Sequence, residues 1–422
     1  MTTTRSRAVI WSTLVATAAL VGAATAATPS IDTTFRVAPI ASRATDRRAV
    51  SQGTTAFAID VYGRLRGEQG NLVFSPLSLA SAMAMTAEGA AGTTRAQIVA
   101  ALGIEVPSAR RARAFQSVLA SCTPADPAHV TVETANGLWC GLQSGIRPSF
   151  ATRLSRRFGA RAEALNSDDP ARVAQTIDDW AATATHGLFT DVLAPADVPN
   201  SAGFVLADAL YFKGAWESPF PSRSADVFRL ADGTTVPTPF MSEVVSVDGA
   251  SLDDVDLVEL PYEGGDYAML LVVPKTVAGL QDVEADLTHA KFAGWIAALR
   301  PDYVDLRLPP FTIRSRFDLR DALMALGVTR AFDARRADFS RAAYGSAWIE
   351  DVLQSASVEV DEQGTVAAAV TVVTFGGESQ AFGDPPSPRL VRADHPFLFA
   401  IRHRPTGTIL FMGRVEDPTK SN

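Results

Sequence analysis

Val358-Glu-Val-Asp-Glu-Gln-Gly-Thr-Val-Ala-Ala-Ala-Val-Thr-Val-Val-Thr-Phe375 is the stretch on which the fold and function of this chain turn. Its first residues alternate, as in a strand. From Thr365 to Thr374 every side chain is small or β-branched, and none is charged. In an extended chain Thr365, Ala367, Ala369, Thr371 and Val373 share one face, and Val366, Ala368, Val370 and Val372 share the other. Such a segment can slip between two existing strands without a steric clash or a buried charge. The polar loop residues Gly376-Gly-Glu-Ser-Gln-Ala-Phe-Gly383 follow. Asp384-Pro-Pro-Ser-Pro388 is stiff and cannot join a central strand. The pattern predicts a strand-competent segment leading into an exposed loop, from about Gly364 to Pro386, fixed at its far end. On local features alone, a strand followed by a long surface loop reads the same way.

Outward from this stretch, the 422-residue chain is 47% hydrophobic and 20% charged, which is ordinary for a globular protein. A formal net charge of −8 argues against general nucleic-acid binding. Arg5 and Arg7, the apolar and small residues from Ala8 to Ala23, and the small-x-small site Ala24-Thr-Ala26 read as a signal peptide over residues 1–26. They predict a secreted, extracellular protein. A membrane anchor is the competing reading, but the stretch is short and Ala-rich for a span that needs about 20 residues. No other stretch is apolar and long enough to cross a membrane. Residues 27–50 read as a flexible lead-in, and 51–418 as one domain that no repeat or linker divides. Export implies an oxidising compartment, where Cys122 and Cys140 either pair or stay as two buried thiols. A chain this long does not need the staple.

Ser75 with Pro76 marks a helix start, and Leu79 and Met83 share a face of that helix. Gly89 and Gly92 end it, and Thr94 with Gln97 predicts a capping box for the next helix. Val173, Ile177, Trp180 and Ala184 follow helical spacing, as in a helix lying on a sheet. Phe204 to Phe212 reads as a doubly buried strand in which Asp208 needs a partner. Val258–Tyr262 and Tyr267–Val273 around Gly264-Gly265 predict a hairpin. Pro396–Ile401 and Thr408–Met412 predict a second strand pair.

No catalytic motif announces itself: the chain lacks G-x-S-x-G, H-E-x-x-H, a P-loop and G-x-G-x-x-G. His129, His186, His289, His395 and His403 show no metal-ligand spacing, so neither a metal nor a cofactor is expected. A dispersed Ser-His-Asp triad would leave no such motif, which keeps an exported enzyme as the third of three function classes. Arg147, Arg153, Arg156, Arg157 and Arg161 form one basic cluster, and Arg110, Arg111 and Arg113 a second. Either a polyanion binds there or these are solvated helix faces.

Asn71 to Ile98, with Phe-Ser-Pro-Leu-Ser and Glu-Gly-Ala-Ala-Gly-Thr-Thr-Arg-Ala-Gln, closely resembles the early helix pair of the serpin family of protease inhibitors. Tyr211-Phe-Lys-Gly-Ala-Trp216 with Pro219-Phe220 is similar to a strand of the family's main sheet. Leu308-Pro-Pro-Phe311, Leu326-Gly327, Ala337-Asp-Phe-Ser340 and His395-Pro-Phe-Leu-Phe399 follow in family order, and Asp361 to Ala369 resembles the reactive-loop hinge. The resemblance covers nearly all of the chain after residue 50. It implies an α+β serpin fold with a large mixed central β-sheet, further sheets, eight to nine helices and an exposed reactive-centre loop.

The function implied is suicide-substrate inhibition of a serine endopeptidase by a monomer that supplies no catalytic residue. The protease forms a covalent acyl complex at the loop, and the loop's first half then inserts into the sheet. The alternative is a non-inhibitory serpin acting as a binding or structural protein. The implied hinge is Glu362, Gly364, Thr365, Ala367, Ala368, Ala369 and Thr371. The implied sheet-opening region is Ser75, Ser78, Asp208, Trp216 and Gln354. The family's distance from the hinge glycine puts the scissile bond at Glu378-Ser379; the loop's extra length leaves Ala381 or Phe382 as the alternative. Two departures stand out. A buried Asn and His of the family are replaced by Asp208 and Gln354, which are expected to hydrogen-bond. The Lys that often partners the hinge glutamate falls on Pro310, leaving Glu362 without that partner.

Overall fold

The computed structural model describes residues 40–124, 128–166, 168–195, 198, 203–365 and 387–421. Among them run the helices α1 (Ala44–Leu65), α2 (Pro76–Gly89), α3 (Gly92–Ala101), α4 (Ser108–Ser121), α5 (Pro148–Phe158), α6 (Pro170–Ala184), α7 (Leu280–Ala285), α8 (His289–Ala298) and α9 (Arg320–Ala325). The strands of the first half are β1 (Leu72–Phe74), β2 (Val130–Gly141), β3 (Arg161–Leu165), β4 (Phe204–Ala215), β5 (Ser222–Arg229) and β6 (Thr235–Ser251). They continue with β7 (Val255–Pro261), β8 (Tyr267–Pro274), β9 (Arg300–Leu308), β10 (Phe311–Asp318) and β11 (Ile349–Val360). The last are β12 (Gly364–Thr365), β13 (Arg389–Arg392), β14 (Phe397–His403) and β15 (Thr408–Val415). The stretch expected to be a signal peptide and most of the expected lead-in lie outside the described residues. Helix α1 nevertheless begins at Ala44, so the end of the stretch expected to be a flexible lead-in is helical.

Local chemistry explains most helix ends. The Ser75 hydroxyl accepts the Ser78 amide, and Pro76 fills the first helical position of α2, where its missing N–H costs nothing. Asp169 and Pro170 do the same for α6. The capping box expected at Thr94 and Gln97 does not form. Helix α3 starts two residues earlier, at Gly92. The Thr94 hydroxyl instead accepts the Asp338 amide at 3.0 Å, and Gln97 Oε1 accepts the Arg330 amide at 2.8 Å. A distant loop with unsatisfied amides outcompetes the helix's own terminus for these acceptors.

Two sheets share the core. The six-stranded sheet runs β10-β11-β12-β4-β2-β3, with β11 also pairing β4 in parallel. The nine-stranded sheet runs β1-β15-β14-β8-β7-β6-β9-β13, with β5 paired to β6. The two expected strand pairs are β7–β8 and β14–β15, both antiparallel. Helix α2 is almost wholly buried and packs against both β4 and β15, which is why its sequence is Ala, Ser, Leu and Met with no charge before Glu88. On the other face of the six-stranded sheet α6 covers β2 and β4, and Trp180 meets Trp139 edge-on at 4.9 Å. Of the two readings of Cys122 and Cys140, the structure has free thiols; burial pushes them up to about 11 and about 12. No helix among the described residues is long and apolar enough to cross a membrane.

Candidate functional site at the mouth of the six-stranded sheet

Strands β4 and β11 run parallel and pair from Phe204 to Ala209 against Ile349 to Ser355. Beyond these residues the ladder stops, and β12 stands between the two strands. Gly364 pairs with Ala215 and Thr365 with Gly214 on one side; Thr365 pairs with Val360 on the other. Gly364 and Thr365, expected to belong to a hinge, thus form a two-residue strand at the open end of a slot.

A tight turn brings β12 there. Asp361 Oδ1 accepts the amides of Gln363 and Gly364 at 2.8 and 3.1 Å, an Asx turn that reverses the chain after β11. The Trp216 and Phe220 amides donate to the carbonyls of Gln363 and Glu362, each at 2.9 Å. Trp216 Nε1 donates to the Asp361 carbonyl at 3.0 Å. Glycine is obligatory at 364 because a Cβ there would lie 2.1 Å from the Gly214 carbonyl oxygen. Thr365 is buried, and its hydroxyl meets the Tyr262 hydroxyl at 2.6 Å. Tyr262 stacks on Trp216 with centroids 4.5 Å apart. It fits over Gly214, where a Cβ would come within 2.8 Å of its ring. Burial drives the Tyr262 phenol far above its usual range, so it stays neutral. Glu362 forms a two-bond ion pair with Arg223 of β5. The partner missing at Pro310 is therefore supplied from another strand.

Deeper in the slot the strands are joined by side chains. Gln354 Nε2 donates to Asp208 Oδ1 at 2.7 Å, the contact expected from sequence, and to the Ser75 carbonyl at 2.9 Å. Gln354 Oε1 accepts the Ser75 amide at 2.9 Å. Asn136 of β2 lies directly opposite Asp208. The row Asn136–Asp208–Gln354 therefore crosses three strands beneath α2. Burial pushes the Asp208 carboxyl up to about 7, against the hydrogen bond from Gln354. Among the described residues Ser81 Oγ and both amide atoms of Asn136 are buried without a hydrogen-bond partner. Beside the backbone ladder of β4 and β11, the row thus carries one side-chain bond between the two strands.

Of the residues singled out from sequence, Glu362, Gly364, Thr365 and Trp216 converge at the mouth, and Ser75, Ser78, Asp208 and Gln354 converge below it. Ala367, Ala368, Ala369 and Thr371 lie outside the described residues, as do both scissile alternatives, Glu378-Ser379 and Ala381-Phe382. Tyr262, Arg223 and Asn136 were missed. Tyr262 follows a Pro in an ordinary hairpin, Arg223 sits in a polar run, and Asn136 in a mixed strand; no local pattern distinguishes them. Among the described residues no group of three His, Cys, Asp or Glu is placed to hold a metal.

The family model described as serpin (serine protease inhibitor) matches residues 52–418. The chain belongs to the serpin family. Serpin-Z1C of Triticum aestivum is 34% identical to this serpin over 404 residues, covering 90% of this chain and 99% of the relative. The crystal structure of Serpin48, described as a highly specific serpin in the insect Tenebrio molitor, superposes with a TM-score of 0.80. It is 27% identical and covers 89% of this chain and all of that one. Thyroxine-binding globulin in complex with thyroxine superposes with a TM-score of 0.77 at 25% identity, over 88% of this chain and 99% of its own. The serpin fold expected from sequence is therefore the fold of this chain.

Proposed function

We propose that this serpin is an extracellular suicide-substrate inhibitor of serine endopeptidases. The observation that carries the reading is β12, a strand already begun between β4 and β11. Continuing its register would put Ala367 opposite Phe212, Ala369 opposite Leu210 and Thr371 opposite Asp208. On the β11 side the same count would set Thr371 against Gln354. Full insertion would end with Phe375 opposite Phe204. The face turned toward α2 would carry Thr365, Ala367, Ala369, Thr371 and Val373, with no charge to bury. Thr371 would replace the Asp208–Gln354 bond, its hydroxyl able both to donate and to accept.

The chemistry follows from the insertion. A protease attacks the loop as a substrate and becomes acylated at the new C-terminus. Cutting the chain frees the hinge side of the loop, which fills the slot. The protease, still esterified, is dragged away, and its triad and oxyanion hole lose the geometry that deacylation needs. The uncleaved state is a kinetic trap whose lifetime is set by a barrier. Since the side chains suited to a strand run through Phe375, the bond cut would lie beyond it, at Glu378-Ser379 or, with the longer count, near Ala381 and Phe382. Glu378 would suit a protease whose pocket accepts an acidic side chain, Phe382 a chymotrypsin-like one.

The test is to incubate the mature protein with a protease panel. Complexes that survive denaturing electrophoresis are expected, and sequencing the released C-terminal fragment locates the bond. Clean cleavage with no complex from any protease would move the chain to the binding members of its family.

A further inference from the structure

A carboxyl group stands on the seam where β4 and β11 pair. Asp208 is 3% exposed and lies beneath α2. Its partner across the seam is fully committed. The two amide protons of Gln354 go to Asp208 Oδ1 and to the Ser75 carbonyl, and Gln354 Oε1 accepts the Ser75 amide. Gln354 is thus oriented to donate to Asp208 and not to accept from it. The Ser78 hydroxyl is the other polar group beside the carboxyl. Among the described residues no charge faces Asp208 from the elements packed around it. Helix α2 offers Ser75, Ser78 and, one turn on, Ser81, and carries no charge before Glu88. Strand β2 sets Asn136 opposite Asp208, and β11 sets Gln354. Beyond β11, β10 pairs Phe317 with Gln354. Strand β1, packed on β10 and β11, is Leu-Val-Phe. Strand β2 also carries Glu133, bonded to His186 at 2.8 Å. Glu133 is an odd number of positions from Asn136, so it lies on the opposite face of the sheet.

A carboxylate in such a place has lost its water and gained no cation. The closed sheet therefore favours the neutral acid over the anion. Parting β4 from β11 returns water to the group, and the anion is then favoured down to the ordinary carboxyl range. Opening thus releases a proton to solvent at any pH between the ordinary value of 3.8 and the value of about 7 to which burial raises Asp208. Because the closed sheet binds the extra proton, acid holds it shut, and opening becomes easier as pH rises through that interval. We propose that Asp208 makes the seam between β4 and β11 a proton-operated latch, shut in mild acid and released toward neutral and alkaline pH. The latch belongs to the closed sheet and does not depend on the inhibitory reading. Where that reading holds, the latch sets the pH at which a strand can enter.

Amide hydrogen exchange of the purified full chain, read by mass spectrometry between about pH 5 and pH 8 with no protease present, tests this. The chemical exchange rate is divided out at each pH. Peptides covering residues 204–208 and 351–355 are compared with peptides from the β7–β8 ladder of the other sheet. Relative to that ladder, exchange at the seam is expected to rise roughly tenfold or more from pH 5 to pH 8. Asp208→Asn keeps an acceptor for Gln354 and leaves Glu133 and His186 in place. It is expected to abolish the rise, exchanging like the parent near pH 5 and roughly tenfold or more slowly at pH 8. The quantity that decides is the slope with pH, which a merely structural loosening of the seam would leave in place. Should the Asn variant fold poorly, the contrast between the two ladders of the parent still decides. A seam whose exchange follows β7–β8 at every pH overturns the proposal. So does an Asp208→Asn variant that keeps the parent's rise. Neither outcome bears on whether the loop traps a protease, which the complexes seen on denaturing gels decide separately.

Discussion

The mouth of the slot and the row six residues below it are held closed by different means. At the mouth, β12 already occupies the gap, and backbone pairs bind it on both sides. Its one buried hydroxyl, on Thr365, is satisfied by Tyr262. In the row, the strands pair directly through their own backbone ladder and share one amide–carboxyl contact, Gln354 to Asp208, with several buried polar atoms left over. Entry of a strand therefore demands different things at the two levels. At the mouth it needs a small uncharged side chain that fits against Tyr262. In the row it must break a buried polar bond and offer another in its place.

The strongest way to break this comparison is a charge at the mouth. Thr365→Arg would place a guanidinium against the Tyr262 ring in a buried site with no carboxylate provided. Burying an unpaired charge costs several kcal/mol, so a fall of roughly a hundredfold or more in the yield of stable protease complexes is expected. Cleavage should continue, turning the protein into a substrate. Complexes formed at parental yield on a denaturing gel would mean that loop insertion does not need a small uncharged side chain at Thr365.

Next in size is the polar row. Asp208 has an ordinary value of 3.8 and is raised to about 7 by burial. Between those values the folded protein keeps a proton that the unfolded chain has released. Stability contributed by the row therefore falls as pH rises from about 4 to about 7, and the loss is complete above that. Each pH unit between the two values is worth about 1.4 kcal/mol, which makes a few kcal/mol in all. Asp208→Asn keeps the acceptor for Gln354 and removes the charge. Its thermal midpoint, read at one fixed scan rate, should exceed the parent's at pH 8 and approach it near pH 4. A gap that does not change with pH would show that Asp208 does not titrate in this range.

The smallest effect belongs to the rim. Arg223→Ala removes the partner of Glu362, but both side chains are partly exposed. Such pairs are worth up to about 1 kcal/mol, so a change of no more than about fivefold in the inhibition rate constant is expected. A loss as large as that of Thr365→Arg would make the ion pair, rather than the β12 backbone, the main restraint on the hinge.

Much of this molecule was legible in its residues because the relevant signals are local. Ser75-Pro76 starts α2 by capping chemistry that needs no distant partner. Gly264-Gly265 between apolar runs makes the β7–β8 turn, and the uncharged run after Gly364 marks what can enter a sheet. The Asp208–Gln354 contact was also foreseen, but only because the family resemblance aligned two positions 146 residues apart. The Thr94–Gln97 capping box failed for the opposite reason: a local motif lost its acceptors to a loop near Asp338 that arrives from far along the chain.

The sequence by itself determined which segment is fit to become a strand, since side-chain size, branching and charge are properties of the residues alone. The tertiary structure decided where that strand begins, that Tyr262 and Arg223 meet it there, and that Arg113, Arg153 and Arg157, from two separate clusters, line one cavity. Those facts depend on which strands and helices become neighbours, and long-range packing sets that.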